Sequence, residues 1–223
     1  MKITINTDIF AAASLFKATQ DIRYYLNGLY LESGPKGARL VATDGHTMCI
    51  AQILGEYPVT SIIIPTSLAA IVKHKAKSSR VVELEFSEEV SPAGAREISL
   101  SFDGSKTIGK EIEGRFPDFQ RVVPDKASGE VAQFNPDYLV RVQKASTILG
   151  NGLFFGGMAM NGLSSSFSVL RDDFVVVLVP VRCTPIMETP AWIRESMNPP
   201  AKPAKVAKVK AVAAEPEPLK EAA

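Results

Sequence analysis

The chain has 223 residues, of which 46% are hydrophobic and 22% charged, with a formal net charge of +1. That length holds one or two domains with a real core. The balance excludes a wholly disordered chain and an ordinary strongly basic nucleic-acid-binding domain. No apolar run approaches the ~18 residues of a membrane span. The opening MKITINTDIF turns polar at Asn6, Thr7 and Asp8, which does not read as a signal peptide and predicts a cytoplasmic protein.

Taken in chain order, the residues read as three similar units. The first opens with the β-branched run ITIN from Ile3, passes a polar cap at Thr7 and enters a small-residue apolar helix over 8–18. Strand-like segments follow at 28–33, 38–43 and 46–53, joined by the turn sequences SGPKG and TDG. The second unit opens with SIII from Ser61, with a cap at Thr66 and a helix that ends in the basic run Lys73 to Arg80. Its strands are expected at 80–87, 96–102 and 106–112, with PAG and DGS between them. Residues 1–113 thus form a domain of two units, and 114–129 a linker.

The third unit, 130–183, opens with EVAQF and has a cap at Asn135. Pro136 takes the first helical position, where its missing N–H costs nothing. Strands are expected at 153–160, 163–170 and 173–181, with MNG and RDD as turns. Residues 184–200 read as an extension with a short helix over 189–197. Residues 201–223, rich in Ala, Pro, Lys and Glu and lacking aromatics, read as a disordered tail. A unit of strand, helix and three strands sets a helix on one face of a small sheet. The fold class is α+β, built of repeated units that need neighbours to complete a core.

The charge is divided by element. Residues 1–200 carry 20 Lys and Arg against 21 Asp and Glu, and the tail carries five lysines against three glutamates. Helices carry the bases, and the strand regions carry Glu83, Glu85, Glu88, Glu89, Glu97, Glu111 and Glu113. The Lys73–Arg80 run has two readings: a solvated helix end favoured by the helix dipole, or a patch that meets phosphates without reading bases. An enzyme is not expected. His46 and His74 are the only histidines, and the sequence has no HExxH, no CxxC and no Gly-rich phosphate loop. The acidic pairs Glu88-Glu89 and Asp172-Asp173 fit turns, so no metal and no cofactor is expected. Cys49 and Cys183 read as reduced core thiols.

Several stretches then stand out in order: DIRYYLNGLYLES at 21–33, LVATDGHTMCIAQ at 40–52, EGRFPDFQRVVP at 113–124, FNPDYLVRVQKA at 134–145 and VVVLVPVRC at 175–183. Together they resemble the bacterial DNA polymerase III beta subunit family, the sliding clamps. The resemblance covers roughly 1–183 and is loose at 84–110 and 146–170. It implies the DNA-clamp fold, with helices on the inner face and sheets on the outer face of a ring. The first two units resemble the family's middle domain, and the third resembles the second half of its last domain. The form is therefore shortened, which points to a phage or plasmid source. Family rings surround duplex DNA with twelve units, so three units per chain imply a homotetramer, with a trimer next. The implied function is a clamp that encircles duplex DNA and tethers a polymerase for processive replication. Its partners would be double-stranded DNA, held topologically, and DNA polymerase and clamp loader, held through linear peptide motifs. The alternative is a decoy or adaptor that binds the same peptides without encircling DNA.

The resemblance also implies a peptide-binding pocket. Its residues here are Leu26, then Thr43, Gly45, His46 and Met48 around the TDGH turn, then Pro117, Arg121 and Val122 in the linker. Asn135 and Tyr138 at the third helix, and Val177, Leu178, Val179, Pro180, Val181 and Arg182 in the last strand, complete it. Leu26, Met48, Val122, Val177 and Val179 would form an apolar floor, and Arg121, Arg182, His46 and Asn135 would meet peptide polar groups. From the residues alone, Val177 and Val179 read equally as strand core, Gly45 as a turn glycine at positive φ, and His46 as a packed or turn-bonded side chain. Thr47 stands where the family commonly has arginine. Val179 and Val181 stand where methionines are common, which implies a narrower peptide preference. The expected DNA-facing residues are Lys17, Lys73, Lys75, Lys77, Arg80, Arg141 and Lys144.

Overall fold

In the computed structural model the opening strand of each of the first two units leaves its own unit. Strand β1 (Lys2–Asn6) pairs antiparallel with β6 (Val81–Phe86), setting Ile3 against Leu84 and Ile5 against Val82. In exchange, β5 (Thr60–Pro65) pairs with β2 (Gly28–Gly34), with Leu29 opposite Ile64. A four-stranded sheet, β1-β6-β7-β8, is completed by β7 (Glu97–Phe102) and β8 (Ser105–Lys110). A six-stranded sheet runs β5-β2-β3-β4-β10-β9, with β3 (Gly37–Thr43), β4 (Thr47–Ile53), β9 (Ser166–Arg171) and β10 (Phe174–Leu178). The structure describes residues 1–72, 80–87, 94–151, 157–183, 189–190 and 193. The helix calls for the exchange. Helix α1 (Thr7–Ser14) follows β1 without a loop, and Ile9, Phe10 and Ala11 to Ala13 are all buried. A helix this apolar must be covered on more than one side, and α1 meets β1 and β6 of one sheet and β3 and β4 of the other.

The caps correct two expectations. Asn6, not Thr7, caps α1, its side-chain oxygen accepting the Asp8 N–H at 2.8 Å, while Thr7 is the first helical residue and buried. Before α2 (Thr66–Ala69) the capping position is Pro65, which offers no side-chain oxygen. Thr66 lies inside the helix and donates its hydroxyl to the Asn27 carbonyl. The third cap is as expected: Asn135 accepts the Asp137 N–H at 3.0 Å, and Pro136 opens α3 (Pro136–Ile148). Asn6-Thr7-Asp8 and Asn135-Pro136-Asp137 are thus the same device. Helix α1 also stops short of residue 18, ending at Ser14 with a turn through Phe16.

The third unit joins the first side by side. Strand β10 pairs antiparallel with β4, placing Val177 opposite Met48 and Leu178 opposite Thr47, and α3 packs on α1. Its expected opening strand at 130–134 is irregular chain, tied by single bonds such as Val181 N–H to the Gln133 carbonyl at 2.7 Å. The first two units exchange opening strands, and among the described residues no fourth unit is present to receive this one. Of the expected strand at 153–160, residues 153–156 lie outside the described residues, and Ala159 makes one bridge to Phe167. The basic run at 73–79 and the tail also lie outside them, as does most of the 189–197 helix. The chain divides into two units, Met1–Pro185 and Ile186–Ala223. In the second, Thr189, Pro190 and Ile193 are described, with the Ile193 N–H donated to the Pro190 carbonyl.

Two apolar clusters lie about the six-stranded sheet. The larger includes Leu29, Leu40, Cys49, Phe174, Val176 and Leu178 together with α1 and the inner residues of the four-stranded sheet. The smaller gathers Leu26, Val41, Met48, Ile63 and Val177 with Phe116 and Phe119 from the linker. Strand alternation separates them, since Val176 and Val177 point to opposite faces. The strand glutamates are not a uniformly acidic face. Lys2 pairs with Glu83 and Lys106 with Glu85, each at 3.0 Å, and Arg96 pairs at 2.9 Å with Glu111, whose side chain is 8% exposed. Cys183 is exposed, correcting its reading as a core thiol, because β10 ends at Leu178 and leaves it beyond the strand.

Candidate functional site

The Thr43–Thr47 turn between β3 and β4 closes on its own side chains. The Asp44 Oδ1 atom accepts the amides of His46 at 2.9 Å and Thr47 at 2.7 Å, and the Thr47 hydroxyl at 3.0 Å. Thr43 donates its hydroxyl to the Thr47 carbonyl at 2.8 Å and accepts the Gly45 N–H at 3.0 Å. Gly45 has φ +92°, and a Cβ there would lie 3.0 Å from the Arg23 guanidinium. Glycine is therefore favoured by conformation, and a side chain there would also push the Arg23 guanidinium aside.

Arg141 of α3 reaches across to this turn, donating to Asp44 Oδ2 at 2.5 Å and to the Thr47 hydroxyl at 2.6 Å. Burial pushes the Asp44 carboxyl up, but hydrogen bonds from Arg141 and from the Thr47 and His46 amides outweigh it and hold the carboxyl below its usual range. The His46 ring stacks beside Tyr138, also from α3, with centroids 6.0 Å apart. Arg23 is set by Asp21, whose carboxylate takes two side-chain bonds and the Arg23 amide. The side-chain bonds are the main cause that lowers the Asp21 carboxyl to about 2.

Beside the turn lies a cavity of about 210 Å³ at the junction of the first and third units. Buried Leu26, Met48, Phe116, Phe119 and Val177 form its floor, and exposed Val122, Val179, His46, Arg23 and Asp118 form its rim. Of the sequence-predicted residues, Thr43, Gly45 and Pro117 also line it. Others lie apart from its lining. Arg121 is exposed and pairs with Asp118 at 3.1 Å, Asn135 caps α3, and Leu178 faces the main core. Pro180 is buried, and Val181 and Arg182 are exposed. Sequence reasoning missed Arg23, Thr47, Phe116, Asp118, Phe119 and Ser165. A signal for two of these was present: Phe116 and Phe119 are large apolar residues in a polar, Pro-containing linker.

The expected DNA-facing residues fare differently. Lys73, Lys75 and Lys77 lie outside the described residues. Arg80 and Lys144 are exposed, and Lys17 is half-buried, which lowers its pKa. Arg141 is engaged by Asp44, so it is an interunit strut rather than a free cation. Among the described residues no group of three His, Cys, Asp or Glu side chains could hold a metal ion, and no helix is long and apolar enough to cross a membrane.

Comparison with known proteins adds to this geometry. Residues 3–118 match the family model for the DNA polymerase III beta subunit, central domain. A beta sliding clamp of Caulobacter vibrioides is 31% identical over 139 residues, covering 59% of this chain and 36% of the relative. That of Vibrio cholerae is 33% identical over 152 residues, covering 66% and 39%. The chain thus spans well under half the length of these relatives. Among solved structures, the DNA polymerase III subunit beta of Borrelia burgdorferi superposes with a TM-score of 0.64 at 17% identity, over 82% of this chain and 63% of that one. The Pseudomonas aeruginosa subunit gives 0.60 at 18%, over 82% and 67%. These two share the fold.

Proposed function

The chain belongs to the DNA polymerase III beta subunit family through its central domain, and from that premise we propose that it is a shortened sliding clamp. It would encircle duplex DNA as a homo-oligomeric ring and tether a polymerase through the cavity beside Met48. Membership in a family of non-catalytic clamps is consistent with a non-enzymatic role. The observation that carries the reading is the β4–β10 pairing, which continues one sheet from the central domain into the third unit and builds the cavity at the joint. A cavity of this size suits one or two side chains of a linear peptide rather than a whole small molecule. The floor would take an apolar anchor, and Arg23 and His46 would meet the peptide's polar groups.

Ring closure would use the β8 edge of the four-stranded sheet. Strand β8 presents Ile108, 58% exposed, between Lys106 and Lys110. Antiparallel pairing of β8 with its own copy about Ile108 would set Lys106 against Lys110, and like charges directly opposite are unfavourable. A head-to-tail contact with the third-unit end of the other sheet avoids this, and closes with rotational symmetry. Four chains of three units each are the favoured ring, three chains the next. A phage or plasmid source, with polymerase and loader supplied by a host, is part of the same proposal.

The test is native mass spectrometry of the full chain, followed by retention on circular DNA. A species of about four times 24.1 kDa, held on nicked circles and released on linearisation, is expected. A monomer at micromolar concentration with no such retention would sink the encirclement. A second reading, an adaptor that binds the same peptides without circling DNA, draws support from Arg141. Its pairing with Asp44 removes one cation from the described helical surface. Peptide binding by a stable monomer would favour that reading.

A further inference from the structure

One wall of the cavity is held from behind. Residues Phe116 to Phe119 line the 210 Å³ cavity, and they also line a larger, polar cavity of about 650 Å³ that includes Arg96, Glu111 and Glu113. The segment is therefore a partition between an apolar space and a polar one. It is irregular chain up to a single 3₁₀ turn at Phe119–Val122, so its place depends on what its side chains touch. Phe116 stacks on Tyr30 with centroids 4.6 Å apart and planes 3° from parallel. Phe119 meets the Tyr30 ring edge-on at 6.4 Å and lies under the Arg39 guanidinium, 5.6 Å from its ring centre. Arg39 is itself ion-paired with Glu32, its cross-strand partner, with Nε 2.7 Å from Oε1. Arg39 does not line the small cavity.

We infer that Arg39, oriented by Glu32, is a positioning residue that sets the width of the peptide cavity by fixing the Phe119 ring, and so decides which anchor side chain fits. The inference rests on the peptide-pocket reading above. Without the guanidinium, Phe119 keeps its edge contact with Tyr30 and its apolar neighbours but loses the cation that holds its face, and can swing toward the polar space, widening the cavity. The change in anchor preference is limited by the lost cation–π attraction at a half-exposed site, up to about two- to fivefold in relative affinity.

The experiment titrates the full chain, carrying a ¹³C-methyl label on Met48, with polar hexapeptides that differ only in one leucine, phenylalanine or tryptophan. In Arg39→Ala the ratio of tryptophan to leucine affinity rises about two- to fivefold over wild type, and Arg39→Lys restores part of it. In a Phe119→Leu background, Arg39→Ala has no further effect on the ratio. An unchanged ratio with leucine-peptide binding intact overturns the inference and leaves the pocket reading standing. An equal loss for all three peptides overturns it too, since that marks a merely structural role. No saturable binding to wild type overturns the pocket reading, and the inference with it.

Discussion

Arg141→Ala tests how the site is assembled. The Arg141 and Asp44 side chains are 28% and 18% exposed. The pair is therefore more protected than surface pairs worth about 0–1 kcal/mol. Losing a hydrogen bond between charged groups costs about 1.5–3 kcal/mol, and the Thr47 hydroxyl loses its 2.6 Å partner as well. A loss of about 2 kcal/mol is expected, which for a domain of this size lowers Tm by about 4–8 °C. The sign of the pH dependence follows from the carboxyl. Asp44 is held below its ordinary value in the folded state, so it stabilises above an unfolded pKa of about 3.9. That stabilisation is lost as pH falls through the folded-state value. In the variant, burial is less opposed and the carboxyl moves up. The gap between wild type and variant is therefore widest at neutral pH and narrows below about pH 4. Thermal unfolding followed by circular dichroism from pH 7 to pH 3.5 measures it. Asp44→Asn, which keeps an oxygen for the His46 and Thr47 amides, completes a double-mutant cycle. A Tm within 1 °C of wild type, or a gap that does not change with pH, would refute the reasoning.

Two further outcomes are expected. Arg96 makes a bidentate pair with Glu111, side chains 12% and 8% exposed, and also reaches Thr60 on β5 of the other sheet at 2.8 Å. Arg96→Met strands a buried carboxylate and should cost about 3 kcal/mol in guanidinium unfolding, with Glu111→Gln added to it recovering part of the loss. A midpoint unchanged by Arg96→Met would show that the clasp contributes nothing. The two thiols should separate by chemistry. Burial raises the Cys49 thiol far above its ordinary pKa, and Cys183 is exposed. One thiol per native chain should therefore react with a disulfide reagent, and two after denaturation; prompt labelling of both in the native protein would contradict the burial.

Much of the local structure was legible because it is written in short-range patterns. The strands over 28–53 fall within two residues of expectation, since period-two alternation and the SGPKG and TDG turns mark both ends. Asn135 and Pro136 announce α3 by capping chemistry that needs only neighbours. Asn6 carries the same Asn-x-Asp signature, which puts the cap one residue before Thr7. In the site, the resemblance brought Leu26, Met48 and Val177 to one floor. It did not bring Phe116 or Phe119, whose place depends on their segment folding back over a sheet, nor Arg23, which Asp21 holds beside the Gly45 turn.

The sequence by itself determined the strands over 28–53, the cap that opens α3 and the turn that presents His46, because each depends on residues a few positions apart. Only the tertiary structure decided which sheet each opening strand joins, that β10 lies beside β4, and that Arg141 meets an aspartate 97 positions away. Those pairings arise from covering apolar faces and satisfying buried charge across the whole chain. A local pattern encodes that a strand has an apolar face and that an arginine needs a partner. Which face and which partner are fixed only when all the elements compete for the same core.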